Sequence, residues 1–348
     1  MKPMVSVILP VLNAKKFLEE RIRTIFAQTW QNFELLIVDS YSEDGSYEYL
    51  QQLQDPRIQL WQRPRGLYAS WNEAIRRARG EYVYIATADD TMGPDCLEKM
   101  VAALEAHPEC DLCDSALERI SEDGTPLVWN SLPIVDFPVN STHIRMAPHD
   151  GILGFAGGAV YVSITQIMFR RSLLQKCGYF REDFGVRADY EWGIRAGWFA
   201  NVIYLPQKLS SWRVRAGQAT LSADEMHRQG LVKNIFSEHF KMAQCALHYI
   251  ADKSAMRHPY WQKRQLLKTM RFRRMLMNVV SSFPVKQKIT AAATYFLTYP
   301  EELLIYPALF IYKRIHKIKD LSVWRTQRFV AKIPQKTIIT IPPDTINS

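Results

Sequence analysis

The sequence predicts an α/β fold: a mostly parallel sheet flanked by helices, followed by a basic helical C-terminal extension. Three observations lead there. Short apolar runs of strand length alternate with helix-spaced segments over the first 90 residues, the pattern of strands joined by crossover helices. Acidic residues stand just past the ends of two of those runs. Charge is also divided unevenly. Residues 1–250 hold 26 Lys+Arg against 30 Asp+Glu, whereas residues 251–348 hold 18 against 5. The net charge of +9 therefore comes from the C-terminal part, and the two parts are expected to have different jobs. We place the α/β domain at 1–235 and the basic extension at 236–348.

The elements follow in order. Val5-Ser6-Val7-Ile8-Leu9-Pro10 reads as a buried strand, β-branched and ended by proline. Residues 14–29 carry Phe17, Leu18, Ile22, Ile25 and Phe26 at helical spacing. Phe33 to Val38 is a second strand, closed by Asp39, and a polar turn from Ser40 to Ser46 leads into a helix around 46–54. Ile58 to Trp61 is a third strand, 69–79 a helix, and Tyr82 to Ala86 a fourth strand. Residues 126–165, richer in Pro, Gly and polar residues, read as loops with a flexible Gly157-Gly158 pair. Regular structure resumes around Gln166–Arg171, and a helix is expected over 189–199. From about 225 to 330 the pattern is helical, basic and aromatic.

Ligands of such sheets bind beyond the C-terminal ends of the strands. Asp39 and the pair Asp89-Asp90 would share one crevice there; for each alone, a solvated turn is the alternative. The 47% hydrophobic content suits a sizeable core. No apolar run reaches the roughly 20 residues of a membrane-spanning helix, and the first residues lack a signal peptide's apolar stretch. The five cysteines are odd in number and scattered, unlike a secreted disulfide framework. Cys110 and Cys113 form one CxxC with no second pair to complete a zinc shell, so they read as thiols in or beside a buried strand. A cytoplasmic location follows as the expectation.

A series of motifs then appears in order: Val5 to Asn13; Ile37-Val38-Asp39-Ser40-Tyr41-Ser42-Glu43-Asp44-Gly45-Ser46; Gly66-Leu67-Tyr68-Ala69-Ser70-Trp71-Asn72; Ala78-Arg79-Gly80-Glu81-Tyr82-Val83; Ala86-Thr87-Ala88-Asp89-Asp90; Phe169-Arg170-Arg171-Ser172 with Cys177-Gly178-Tyr179-Phe180; and Asp189-Tyr190-Glu191. Over its first 222 residues the chain thereby resembles family 2 glycosyltransferases, whose catalytic domain has the GT-A fold. The resemblance implies an inverting transferase that takes a sugar from a nucleotide-diphosphate sugar, a UDP-sugar first. The acceptor would be a glycan or lipid-linked glycan of a bacterial surface polysaccharide.

Site residues follow from the resemblance. Asp39 would contact the nucleobase, where an ionised carboxylate accepts strongly from an imide N–H. Asp44-Gly45 reads as a turn that tightens this loop, and Pro10 and Asn13 would shape the loop opposite and touch the nucleotide. Asn72 would contact the donor. Asp89 and Asp90 would hold a divalent metal, Mn2+ or Mg2+, whose charge offsets that of the departing diphosphate; Asp89 would also contact the donor. The family often has an acid where this chain has Thr87. Asp189 would be the general base that deprotonates the acceptor hydroxyl; on spacing alone a helix N-cap would serve as well. Glu191 and Arg195 read as helix-stabilising neighbours. Many members carry a metal-binding His where this chain has Arg215. Arginine cannot bind a cation but pairs with phosphate oxygens, so Arg213 or Arg215 is expected on the diphosphate.

The tail has a further implication. Arg257, Lys263, Arg264, Lys268, Arg271, Arg273 and Arg274 interleave with Trp261, Leu266, Leu267, Met270 and Phe272, and Lys313, Arg314, Lys317 and Lys319 form a second cluster. Basic amphipathic helices with aromatics suit an anionic membrane surface, here the inner face of the plasma membrane. A solvated extension packed on the catalytic domain is the alternative. No nucleic-acid motif accompanies the charge, so no nucleic acid is expected. Two other readings stand beside the transferase. A degenerate, non-catalytic nucleotide-binding scaffold rests on Thr87 and Arg215. A dinucleotide dehydrogenase needs a GxGxxG loop after the first strand, where this chain has Pro10-Val11-Leu12-Asn13.

Overall fold

The computed structural model describes residues 4–128, 140–157, 161–215, 218, 235–253, 297 and 338–341. The chain opens as expected: β1 (Val5–Val11), α1 (Lys15–Phe26), β2 (Phe33–Asp39), α2 (Ser46–Gln51), β3 (Ile58–Gln62), α3 (Leu67–Arg77) and β4 (Tyr82–Ile85). Then come β5 (Thr91–Met92), α4 (Cys96–Ala106), β6 (Leu112–Ile120), β7 (His143–Arg145), α5 (His149–Gly157), β8 (Ile167–Arg170), α6 (Leu173–Cys177), α7 (Ala188–Phe199) and β9 (Val202–Arg213). The last described elements are α8 (Ile235–Lys253) and β10 (Ile338–Thr340).

The strands form one sheet in the order β10-β7-β9-β6-β8-β4-β1-β2-β3, with β5 pairing β9 alongside. The block β3-β2-β1-β4 is parallel. β8 runs against both its neighbours, so β6 and β9 point the same way as that block. β1 and β2 are buried along their whole length, which explains why they read as continuous apolar runs. Val5, Val7, Leu9 and Val11 meet Leu18, Ile22 and Ile25 of α1 and Met100 and Leu104 of α4 on one face. Ile8, Leu36 and Val38 meet Tyr68, Trp71 and Ile75 of α3 and Trp192 of α7 on the other.

The loop expectation for 126–165 is corrected in part: β7 and α5 lie within it. Their support is a buried ion cluster. Arg145 of β7 donates to Asp150 of α5 (Nε–Oδ1 2.8 Å, Nη2–Oδ2 2.9 Å) and to Asp114 Oδ2 of β6 (2.7 Å). Gln166 Nε2 donates to the other Asp114 oxygen at 2.7 Å, and Tyr161 Oη to Asp150 Oδ2 at 3.2 Å. Helix α5 lies close along α7 because Gly151 meets Gly197: a Cβ on either would stand 2.7 Å from backbone atoms of the other helix.

Part of the extension packs on the domain. Ala243, Ala246, Leu247 and Ile250 of α8 bury against Ile152, Phe155, Ile194 and Trp198, and β10 pairs antiparallel with β7 at the sheet's edge. The basic clusters at 257–274 and 313–319 lie outside the described residues. Among the described residues no helix is long and apolar enough to cross a membrane. Cys110 and Cys113 are free and buried, Cys113 within β6.

Candidate active site

The site begins with Asp39, the last residue of β2, which is wholly buried. Its Oδ2 accepts from Ser42 N at 3.0 Å and from Gln62 Nε2 at 2.9 Å. Gln62 is its register partner on β3. The other oxygen, Oδ1, is buried without a hydrogen-bond partner among the described residues. A buried carboxylate oxygen left unpaired is costly, so this position asks for a donor from outside the chain. Pro10 lies in β1 opposite Val38. Asn13 binds the neighbouring loop: its N–H donates to Ser42 Oγ, and its Oδ1 accepts from Glu43 N, both at 2.9 Å. Asp44 accepts from Lys15 N at 2.9 Å and Ser46 N at 3.0 Å, so it tethers the starts of α1 and α2. Gly45 takes a φ of +85° in the turn between them, a conformation glycine adopts without strain.

The acidic turn follows β4. Pairing of β5 with Ser210 and Ser211 of β9 brings Asp89 and Asp90 to the end of that strand. There the two arginines divide. Arg213 is buried, and its guanidinium donates to Asp89 O (2.7 Å), Glu122 O (2.9 Å) and Glu20 Oε2 (2.6 Å). It ties the turn together from within and offers little to a ligand. Arg215 instead pairs with the Asp89 side chain, Nε to Oδ2, at 2.6 Å. The carboxylate of Asp90 is closed: Oδ1 accepts from Arg213 N at 2.8 Å, and Oδ2 from Thr87 Oγ1. Burial, reinforced by the charge of Asp89, pushes its carboxyl up to about 7. Thr87 thus serves as a donor to Asp90. Among the described residues no group of three or more His, Cys, Asp or Glu is placed to hold a metal ion. Among the described residues no hydrogen bond or ion pair reaches the other Asp89 oxygen, Oδ1, since Arg215 meets Oδ2.

Asp189 stands in the first turn of α7 and is half-buried. It is not the N-cap, which is Arg187. Its Oδ1 accepts from Tyr68 Oη at 3.1 Å and from Tyr190 N at 2.9 Å; Oδ2 has no hydrogen-bond partner among the described residues. Burial raises the pKa of this carboxyl above its ordinary range. Tyr68, in the first turn of α3, is itself held by Phe180, stacked at 5.9 Å between ring centroids, and by the edge of Trp71 at 4.8 Å. Asn72, expected to contact the donor, is bonded within the chain. Its amide donates to Phe180 O (2.8 Å) and Glu182 Oε1 (3.0 Å) and accepts from Phe180 N (3.0 Å). Asn72 therefore fixes the segment on which Tyr68 leans. Glu191 and Arg195 pair within α7, Nη2 to Oε2 at 2.6 Å.

These groups share the C-terminal edge of the parallel strands. Asp39 ends β2, Asp89 lies four residues past β4, and Asp189 is bonded to the helix that follows β3. Ser40 Oγ and Ser70 Oγ, 3.4 Å apart, connect the first loop to that helix. The hydrogen bond from Tyr68 favours the ionised form of Asp189. With Asp189 as the general base that the sequence resemblance implies, Tyr68→Phe would move the acid limb of a kcat/KM profile to higher pH, and the same limb in the unaltered protein would already lie above the ordinary carboxylate range. Superimposable profiles would show that Tyr68 does not tune Asp189.

Comparison with known proteins bears on what this edge does. Residues 6–178 match the family model described as Glycosyl transferase family 2. The chain carries a family 2 glycosyl transferase domain. Two Bacillus subtilis (strain 168) proteins resemble the domain. The provisionally named teichuronic acid biosynthesis glycosyltransferase TuaG is 34% identical over 36% of this chain and 51% of its own length. The provisionally named glycosyltransferase EpsE is 37% identical over 35% of the chain and 46% of its own. The alignments thus span about half the length of these curated relatives. Among solved structures, S. aureus TarS 1–349 in complex with UDP-GlcNAc superimposes with a TM-score of 0.64 at 17% identity, over 95% of this chain and 90% of that one. That likeness covers the GT-A fold. Asp189, Arg213 and Arg215 lie beyond the residues matched by the family model.

The transferase domain holds two site residues that sequence reasoning left without a role. Tyr68 was legible only as part of a motif. Gln62 had a usable signal, since an in-register parallel neighbour of β2 must place some residue of β3 beside Asp39.

Proposed function

We propose that the protein is an inverting glycosyltransferase, moving a sugar from a nucleotide-diphosphate sugar, with UDP favoured, to an acceptor hydroxyl. The observation that carries this reading is the buried, unpaired Asp39 Oδ1 on the same sheet edge as Asp89, Arg215 and Asp189. Asp39 would accept the N–H of the base. Arg215 would leave Asp89 for the diphosphate oxygens, where its planar fork suits two acceptors. A metal here would be held by one carboxylate of the chain: Asp89 Oδ1 would hold a divalent ion together with the donor's own phosphates, while Asp90, bonded to Arg213 N and Thr87, keeps the turn in shape. Such an ion, Mn2+ or Mg2+, supplies charge that stabilises the departing nucleoside diphosphate. Asp189, its Oδ1 fixed by Tyr68, would take the acceptor's proton on Oδ2 as the hydroxyl attacks the anomeric carbon. Transfer in one displacement inverts that centre.

The acceptor we favour is a glycan or lipid-linked glycan of a surface polysaccharide, a reading supported by the teichuronic acid role in TuaG's name. TarS 1–349, of the same fold, binds UDP-GlcNAc, which supports the UDP preference. A lipid-linked acceptor would suit the basic clusters at 257–274 and 313–319 as contacts to an anionic membrane surface.

A thermal-shift screen of UDP-, dTDP- and GDP-sugars, with and without manganese, tests the donor, because a ligand that binds only the folded state raises its apparent stability. UDP-sugars should raise the melting temperature, and Arg215→Ala should weaken their binding by about tenfold, the loss of one charge-assisted contact. Absence of any shift across the screen contradicts the reading. Unchanged donor affinity in Arg215→Ala removes the role given to that residue. Binding without turnover in the presence of metal and glycan acceptors would favour a non-catalytic scaffold.

A further inference from the structure

Beside Asp39 the backbone adopts a conformation that the residue there resists. Tyr41 has a φ of +55°, in the left-handed region where bulky side chains are outliers. Four hydrogen bonds hold it in place: Ser40 N to Val11 O (2.8 Å), Ser42 N to Asp39 Oδ2 (3.0 Å), Asn13 N to Ser42 Oγ (2.9 Å) and Glu43 N to Asn13 Oδ1 (2.9 Å). Glycine would take this conformation without strain. The chain instead carries a ring that is 56% exposed, with no ring, cation or hydrogen-bond partner among the described residues. Packing of the fold therefore gives no reason for the tyrosine. On the loop stitched to it, Leu12 is also exposed, next to Asn13 with its φ of +47°. Two exposed side chains thus follow the paired ends of β1 and β2, where the buried carboxylate of Asp39 has one oxygen unpaired.

We propose that Tyr41 is a base-stacking residue for the donor's nucleotide, beside the Asp39 acceptor that selects the base. The inference rests on the transferase reading and deepens it. Backbone strain held by an overdetermined loop points to a function at that position, and an exposed aromatic ring beside a hydrogen-bonding slot is suited to the face of a planar heterocycle. The slot's chemistry narrows the base. Asp39 Oδ2 is already filled by Ser42 N and Gln62 Nε2, which leaves a single acceptor. A pyrimidine imide, with one ring N–H between two carbonyls, matches one oxygen. Guanine, whose ring N–H and amino group lie side by side, would need both.

The test is titration calorimetry of UDP, GDP and inorganic pyrophosphate against the full chain and the variants Tyr41→Gly, Tyr41→Phe and Tyr41→Asn. Tyr41→Gly relieves the strain, so its melting temperature should stay the same or rise, yet its affinity for UDP should fall by about tenfold, the effect of losing a stacking ring. Tyr41→Phe should stay within about twofold of the unaltered protein for UDP, and pyrophosphate, which has no base, should bind all variants alike. Tyr41→Asn tolerates the left-handed backbone but lacks the ring, so it should behave as the glycine variant does. If a folded Tyr41→Gly binds UDP as well as or better than the unaltered chain, Tyr41 is structural and the inference is overturned while the transferase reading stands. If the unaltered chain binds neither UDP nor GDP, both fall.

Discussion

Asp189→Asn should lower kcat by a factor on the order of 10²–10⁴, the range that a positioned general base contributes, while the affinity for UDP stays near that of the unaltered chain. Asparagine keeps the shape of the side chain, and its amide oxygen can still accept from Tyr68 Oη and Tyr190 N as Asp189 Oδ1 does. What it cannot do is take a proton from the acceptor. Steady-state turnover together with UDP binding separates the two effects. A loss confined to UDP affinity, with kcat unchanged, would move Asp189 from the chemistry to the donor pocket. Helix α7 would support the proposed role, since a carboxylate in its first turn faces the positive end of the helix dipole. That attraction and the Tyr68 bond oppose the burial that raises the carboxyl's pKa.

The second large effect concerns folding. Arg145→Met should destabilise the protein by about 3–5 kcal/mol, the cost of breaking a buried charge cluster by removing one partner. Asp114 and Asp150 would be left facing each other without their shared cation, both almost wholly out of water. At typical unfolding entropies this lowers the melting temperature by roughly 10 °C. Adding Asp114→Asn and Asp150→Asn should recover part of the loss, because no uncompensated charge then remains. A shift of less than about 2 °C in Arg145→Met would mean that β7 and α5 are held by packing alone. The cluster matters to the site because α5 lies against α7, whose first turn carries Asp189.

The difference between what could and could not be read from the sequence has a physical cause. β1 to β4 and α1 to α3 are built from local periodicity. Their apolar residues repeat at strand or helix spacing, and the observed bounds lie within three residues of the expected ones. The positions of Asp39 and Asp89 past strand ends followed directly. β7 and α5 escaped because their stability is non-local: Arg145 finds Asp114 across 31 residues of sequence, and no window of sequence contains that pair. The same reason hid the division between Arg213 and Arg215. Both were plausible phosphate ligands, and only the pairing of β5 with β9 decides which guanidinium is enclosed and which meets Asp89. Asn72 was legible as a motif residue, but its amide turns to the backbone of Phe180, a tertiary contact 108 residues away.

A crystal structure of the protein with UDP and a divalent cation tests the central arrangement most directly. The base should place an N–H within hydrogen-bonding distance of Asp39 Oδ1, the diphosphate should meet Arg215 and the ion at Asp89, and Asp189 Oδ2 should open onto the space left for the sugar. A nucleotide seated elsewhere, or one bound here with Asp189 turned away from its terminal phosphate, would contradict the account.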